Sequence, residues 1–277
     1  MSYLRIITLT SLAMIAFAGN SLLCRIALKD TNINAASFTT IRLISGAVAL
    51  WLIVLIRRGS QPGEGNWLSA FALFFYAAGF SFAYINLPAA TGALLLFGAV
   101  QATMIGYGVF VGERLLKLQL VGLIFAFGGL IGLLLPGLSA PPLYSSVLML
   151  AAGVAWGIYS LRGKGAADPT RVTAGNFLRA APIAAVLSVL MLNSTSLDTN
   201  GILYAASSGA LTSGVGYAIW YAALPALKAT SAATVQLSVP VIAALGGAVF
   251  LGEPITLRLA LASVAIIGGI ALVILER

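Results

Sequence analysis

"FVGERL" at residues 110–115 and "FLGEPI" at 250–255 are nearly the same six residues, and each closes a long apolar run. Why the pair exists decides the fold. With Gly112 set against Gly252 and Glu113 against Glu253, the same offset lays "FGG" (127–129) on "IGG" (267–269). Upstream, after a three-residue gap, "YINLPA" (84–89) falls on "YAALPA" (221–226), and Arg42 in "SFTTIRLISG" falls near Arg179 in "AGNFLRAAPI". The chain therefore reads as two copies of one unit of about 140 residues, 1–140 and 141–277.

Composition says what the unit is built from. The 277 residues are 60% hydrophobic and 8% charged, where an ordinary soluble domain carries about 25% charged residues. That polar surface cannot cover a globule in water. Apolar stretches of about 20 residues recur along the chain, and each is long enough to cross a bilayer as a helix. They lack the polar–apolar alternation of lipid-spanning strands. The fold class expected is an all-α membrane protein. Breaks at Pro, Gly and polar clusters place ten spans, at 5–28, 34–56, 67–87, 89–111, 118–136, 143–161, 172–192, 201–222, 229–251 and 256–275. The run from Trp67 to Gly112 is too long for one helix across a core of about 30 Å, so a hairpin is expected at "INLPAATG" (85–92).

The net charge of +8 comes from basic residues set singly or in pairs between apolar runs, which reads as orientation signals and not as a nucleic-acid patch. Alternating the loops puts Arg5, Arg57, Arg58, Arg114, Lys117, Arg162, Lys164, Arg171, Lys228 and Arg277 on the side of both termini. The other side holds Arg25, Lys29 and Arg258. That bias predicts cytoplasmic termini. The first 30 residues lack a small-x-small cleavage site followed by a polar region, and read as a retained span. A unit of five spans ends on the side opposite its start, so the second copy must be inverted. Glu113 then ends a helix at the cytoplasmic face and Glu253 ends its counterpart at the outer face. Inverted repeats recur in secondary transporters, whose halves exchange conformations around a midplane site.

The paired "GER" and "GEP" helix ends, the Arg in the second span of each half, "AGN" at 18–20 and "AAGVAWGIY" at 151–159 resemble the drug/metabolite transporter superfamily, EamA type. Within it the chain looks most like bacterial amino-acid exporters of the YddG kind. The resemblance covers essentially the whole chain. It implies a bacterial inner-membrane protein with a central cavity formed by spans one to four and six to nine, spans five and ten lying outside. It also implies a proline in the middle of the fourth span. Val100 and Gln101 stand there instead, whereas the ninth span has Pro240.

Polar groups within a bilayer are costly, so their inventory points to function. Asp30, Glu64, Glu113, Asp168, Asp198, Glu253 and Glu276 all fall at span ends or in loops. Arg42 and Arg179 lie within spans. They read either as anchors for a substrate carboxylate, through bidentate guanidinium geometry, or as snorkelling and carbonyl-capping groups. Asn20, Gln101, Asn176 and Gln236 lie at span depth, where an amide needs partners. They bond neighbouring helices or face the cavity, and the mid-span Gln101 and Gln236 are the stronger site candidates. Trp156 and Tyr159 are one turn apart, as are Tyr217 and Tyr221, with Trp220 adjacent. With Tyr84 of the "YINLPA" repeat, the candidate substrate contacts are Asn20, Arg42, Tyr84, Gln101, Trp156, Tyr159, Arg179, Tyr217, Trp220 and Gln236. Gly112, Glu113, Pro240, Gly252 and Glu253 are the candidate gating and hinge positions. The two glutamates follow a glycine at a helix end, where the dipole disfavours a carboxylate. Each pairs with a basic group that clasps one face, or is solvated at the interface.

Several function classes lose support. There is no histidine, and one cysteine, Cys24, excludes an intrachain disulfide. The clustered acids or Ser/Lys-type pair of an intramembrane enzyme are not visible, and no metal or other cofactor is expected. A channel would want a ring of polar groups, normally in an oligomer. A buried glutamate for organic cations is missing, so the site suits neutral, zwitterionic or anionic molecules, although ring faces can still admit some cations. The expectation is a facilitator exporting small metabolites, amino acids foremost, by alternating access; drug efflux within the same superfamily is the alternative. The partners expected are that substrate and the lipid bilayer. With no histidine or mid-span acid to carry a proton, the substrate gradient is expected to set direction.

Overall fold

The computed structural model describes residues 2–57, 64–112, 115–137, 140–163, 166–192, 196–227 and 235–275, and among these there is no strand. Helical rods run in chain order as α1 (Tyr3–Asp30), α2 (Ala35–Ile56), α3 (Trp67–Tyr84), α4 (Ala89–Phe110) and α5 (Lys117–Leu134). The second half gives α6 (Leu143–Gly163), α7 (Pro169–Leu190), α8 (Thr199–Ala223), α9 (Ser238–Leu251) and α10 (Leu257–Leu275). Among the described residues, eight of these are long and apolar enough to cross a membrane. The exceptions are α8, which changes helix type partway, and the short α9.

Local chemistry sets the rod ends. Asn34, Asn66, Asp168 and Asp198 each accept a backbone N–H three residues on, at 2.8, 2.9, 3.1 and 2.8 Å, and so start α2, α3, α7 and α8. Such caps contribute about 1 kcal/mol each. They fall at matching places in the two halves and give two of the loop acids a structural duty. The expected hairpin is there: α3 stops at Tyr84, and Pro88, with φ −58°, precedes the first turn of α4. A proline costs nothing at that position, because its missing N–H would be unpaired anyway.

Packing carries the inverted repeat. α6 lies against α3 and α4, and α1 lies in the same way against α8 and α9. α7 meets α3 as α2 meets α8, while α2–α7 and α5–α10 each pair an element with its own counterpart. This is the packing pattern of two five-helix units related by an approximate twofold. α5 and α10 pack chiefly on one another at the periphery. Their crossing depends on glycine: a Cβ on Gly122 would strike the carbonyl of Gly269, and one on Gly269 would strike that of Gly122.

Two elements differ from expectation. The ninth span was expected as one helix over 229–251. Of this, 229–234 lies outside the described residues, Val235 and Gln236 are helical, and the helix line breaks at Leu237 before resuming at Ser238. Pro240 has no N–H to offer the carbonyl of Gln236, and its ring crowds that carbonyl. α4 has no proline at the corresponding place and runs unbroken from Ala89 to Phe110. The eighth span was expected as a plain helix. It is α-helical over Thr199–Ser207, π-helical over Ser208–Val215 and α-helical again over Gly216–Ala223. Gly209, Gly214 and Gly216 let this rod press on its neighbours: added Cβ atoms would meet the Arg42 carbonyl and Ser45, Ala49, and Ala16 respectively.

Candidate functional site: a closed chamber between the halves

α1, α3, α4, α6 and α8 meet around a central cavity of about 20 Å³. Its wall is made by Phe17, Asn20 and Ser21 of α1, Tyr76 and Phe80 of α3, Leu96 and Phe97 of α4, Trp156 of α6, and Thr212 and Tyr217 of α8. About 10–15 Å³ of such space admits one water, so the chamber as it stands is too narrow for any metabolite.

One side is aromatic. Trp156 stacks on Tyr159 with ring centres 5.3 Å apart and planes at 24°, and lies 4.7 Å from Tyr76 and 5.2 Å from Tyr217. Phe17 meets Tyr217 and Trp220 edge-on at 5.7 and 6.0 Å. Pairs of this kind contribute about 0.5–1.5 kcal/mol each beyond their buried area.

The other side is polar and is organised by the π-helical turn. Asn20 accepts a hydrogen bond from Ser208 at 2.6 Å and donates to the Tyr76 hydroxyl at 3.3 Å; the Thr212 hydroxyl lies 3.3 Å from Asn20 Oδ1 and gives its proton to the Ser208 carbonyl at 2.7 Å. Ser213, next along, accepts from Arg42 Nε at 3.4 Å. Widening the helix gathers positions i, i+4 and i+5 on one face, and π-helical turns recur at functional sites. Arg42 stands just behind this wall, 1% exposed. Its Nη2 donates to the Tyr76 hydroxyl at 3.0 Å, and its guanidinium carbon lies 4.8 Å from the Phe80 ring centre and 5.1 Å from that of Tyr76. Nη1 is buried without a hydrogen-bond partner among the described residues. Each ring face offsets about 2 kcal/mol in a desolvated setting, whereas burying an arginine costs several kcal/mol without a counter-charge.

Of the residues singled out from the sequence, Asn20, Trp156 and Tyr217 line the chamber. Arg42, Tyr159 and Trp220 stand one layer behind it. Tyr159 donates to Thr173 at 3.4 Å and accepts from Asn176 at 3.3 Å, and Asn176 in turn accepts the backbone N–H of Asn66 at 2.9 Å. Gln101 is buried in α4 and Gln236 half-buried before α9, both away from the chamber wall. Arg179 bonds the Gly175 carbonyl of its own helix at 2.9 Å. Tyr84 sits at the end of α3, where its hydroxyl donates to the Ala89 carbonyl at 3.3 Å and its ring fills the space that a Cβ on Gly92 would need. Tyr76, Phe17, Phe80 and Thr212 were not singled out. A usable signal was spacing: Phe17 and Asn20 share one face of α1, as Tyr76 and Phe80 share one face of α3.

One end of the chamber is clasped. Gly252, in the left-handed region at φ 61°, ends α9, and the N–H groups of Gly252 and Glu253 both turn back to the Gly247 carbonyl. This reversal aims Glu253 at α1. Its carboxylate takes Arg25 Nε at 2.9 Å with one oxygen and the Ala89 N–H at the start of α4 with the other, at 2.7 Å. Arg25 Nη1 also donates to the carbonyls of Tyr84 and Ile85, at 2.9 and 2.8 Å. α1, α3, α4 and α9 are thus tied at one point. Arg162, related to Arg25 by the offset that relates Arg179 to Arg42, donates instead to Ser69 at 3.1 Å and Asn66 at 3.2 Å. Gly112 has φ 99° at the end of α4, and Glu113 lies outside the described residues.

The profile of the EamA-like transporter family matches residues 4–135 and again 143–275. A protein of Pseudomonas aeruginosa described as uncharacterized is 57% identical over 274 residues, covering 99% of this chain and 96% of its own. Two proteins of Archaeoglobus fulgidus, each described as an uncharacterized transporter, are 30% identical over 61% of this chain (62% of their own length) and 25% identical over 95% of both chains. A crystal structure superposes over 99% of both chains with a TM-score of 0.70 at 20% identity, a likeness of fold.

Proposed function

Because the chain belongs to the EamA-like transporter family, we propose that it exports small organic metabolites, amino acids with aromatic or other neutral side chains foremost, across a bacterial inner membrane. Residues 1–140 and 141–277 are the two units that move, and both termini lie in the cytoplasm, a reading supported by the ten-to-three division of loop charges. In alternating access the halves rock about the chamber while one end stays closed. The clasp of Arg25, Glu253 and the Ala89 N–H is then the lock on the outer end, and Gly252 and Pro240 are the points where α9 redirects.

The observation that carries this reading is the chamber wall. It joins an aromatic face of Phe17, Trp156 and Tyr217 to an amide–hydroxyl belt of Asn20, Ser21, Tyr76 and Thr212. Such a wall stacks a planar or apolar side chain and hydrogen-bonds a small polar head. Efflux of organic toxic compounds is the second reading, favoured by the ring faces alone; the Arg42 charge behind Tyr76 works against cationic drugs. Among the described residues the chamber wall carries no Asp, Glu or His to take up a proton, which supports transport downhill for the substrate.

Cells loaded with a phenylalanine-containing dipeptide and expressing the protein should release free phenylalanine faster than cells without it. Equal release across a panel of dipeptides would refute amino-acid export.

A further inference from the structure

Donors and acceptors around the chamber do not balance, and the imbalance has a sign. Arg42 is a permanent cation, and among the described residues no Asp or Glu pairs with it. The Tyr76 hydroxyl oxygen already accepts from Arg42 Nη2 at 3.0 Å and Asn20 Nδ2 at 3.3 Å. Its own proton must therefore point elsewhere, and among the described residues no acceptor takes it. Asn20 turns its amide N–H, not its oxygen, toward the Tyr76 hydroxyl, and its Oδ1 takes the Ser208 proton at 2.6 Å. A buried positive charge, an unpartnered guanidinium Nη1 and an undirected hydroxyl proton thus meet at one wall. Across from them stand apolar rings, with Trp156 4.7 Å from Tyr76 itself.

We infer that Tyr76 receives the carboxylate of the transported molecule, that Arg42 is the positioning residue behind it, and that the carboxylate, not an amino group, is what the site recognises. This rests on the metabolite-export reading and narrows it to aromatic or apolar monocarboxylates, with or without an α-amino group. A carboxylate accepting the Tyr76 O–H makes a charge-assisted hydrogen bond and supplies the counter-charge that the rings around Arg42 do not. An ammonium group meets ring faces and hydroxyl oxygens such as that of Ser21 in this wall, but no carboxylate, and the Arg42 charge behind Tyr76 repels it. Tyr76 is buried between Trp156 and Phe80, so the carboxylate reaches it as the chamber widens, with the side chain lying along Trp156 and Tyr217.

The test is calorimetric titration of the purified full chain with L-phenylalanine, 3-phenylpropionate and the isosteric 3-phenylpropionamide. The two carboxylates should bind within about threefold of one another, and the amide about tenfold or more weaker, the scale of one charge-assisted hydrogen bond. Tyr76→Phe should shrink the gap between propionate and amide to about twofold; if that variant does not fold, the wild-type comparison decides alone. Amide binding as tight as the carboxylates overturns the inference and leaves amino-acid export standing. Loss of binding with 3-phenylpropionate, where phenylalanine still binds, overturns it too, by showing that the amino group is required. Binding by none of the three overturns both this inference and the reading beneath it.

Discussion

Replacing Glu253 by Gln keeps the size of the side chain and one acceptor oxygen but removes the charge that holds Arg25. The pair is largely enclosed, with side chains 12% and 9% exposed. Breaking a buried ion pair from one side costs about 3–5 kcal/mol. Arg25 retains its bonds to the Tyr84 and Ile85 carbonyls, so about 2 kcal/mol is the fairer figure, or roughly 30-fold in the ratio of clasped to unclasped molecules. A clasped population of about 99% would fall to roughly three quarters. Ile85 and Ile255 flank the clasp with exposed side chains. Spin labels at Ile85→Cys and Ile255→Cys, in a Cys24→Ala background, report the separation of the two halves by pulsed electron resonance. The wild type should give one short distance, and Glu253→Gln should add a longer component. A distribution unchanged by the substitution would refute the clasp as the element that holds this end together.

Trp156→Ala removes a ring that touches three others and should lower counterflow at least about tenfold while folded protein remains abundant, as read by size-exclusion chromatography. Gly122→Val should drive α5 from α10, because a Cβ there meets the Gly269 carbonyl, and should lower the thermal midpoint in detergent by several degrees or about 2 kcal/mol. A reporter active only outside the cytoplasm, fused after Arg277, should give no signal; a strong one would overturn the topology. A pH gradient imposed without a substrate gradient should not drive accumulation of a neutral amino acid, and accumulation abolished by a protonophore would sink the facilitator reading.

The rods were legible because bilayer-length apolar runs and their Pro, Gly and Asn/Asp breaks are local signals. The repeat was legible because Gly112 and Gly252 match at one offset, and Arg42 and Arg179 match at an offset three residues shorter. The π-helical turn was not. Nothing in "SGALTSGV" (208–215) distinguishes a widened helix from an ordinary one, since the turn is fixed by packing against Arg42, Ser45 and Ala49 in another part of the chain. The same holds for the chamber wall. Asn20, Trp156 and Tyr217 could be ranked from depth and residue type, but Tyr76 gains its place only through two donors, one from α1 and one from α2. Gln101 illustrates the converse: an amide at mid-span depth, buried in α4, that stands outside the wall when the chamber is closed. Asp168 and Asp198 were placed correctly in loops, and their capping duty follows from the residue three positions on.

Counterflow in proteoliposomes tests the central claim most directly. Vesicles holding purified protein and preloaded with unlabelled L-phenylalanine should take up tracer phenylalanine from outside in a transient overshoot, with no ion gradient, because an alternating chamber exchanges substrate for substrate. Protein-free vesicles should show none. Uptake that rises without an overshoot whatever the preload would describe a pore instead of alternating halves, and the same flat trace for every neutral amino acid would contradict the account.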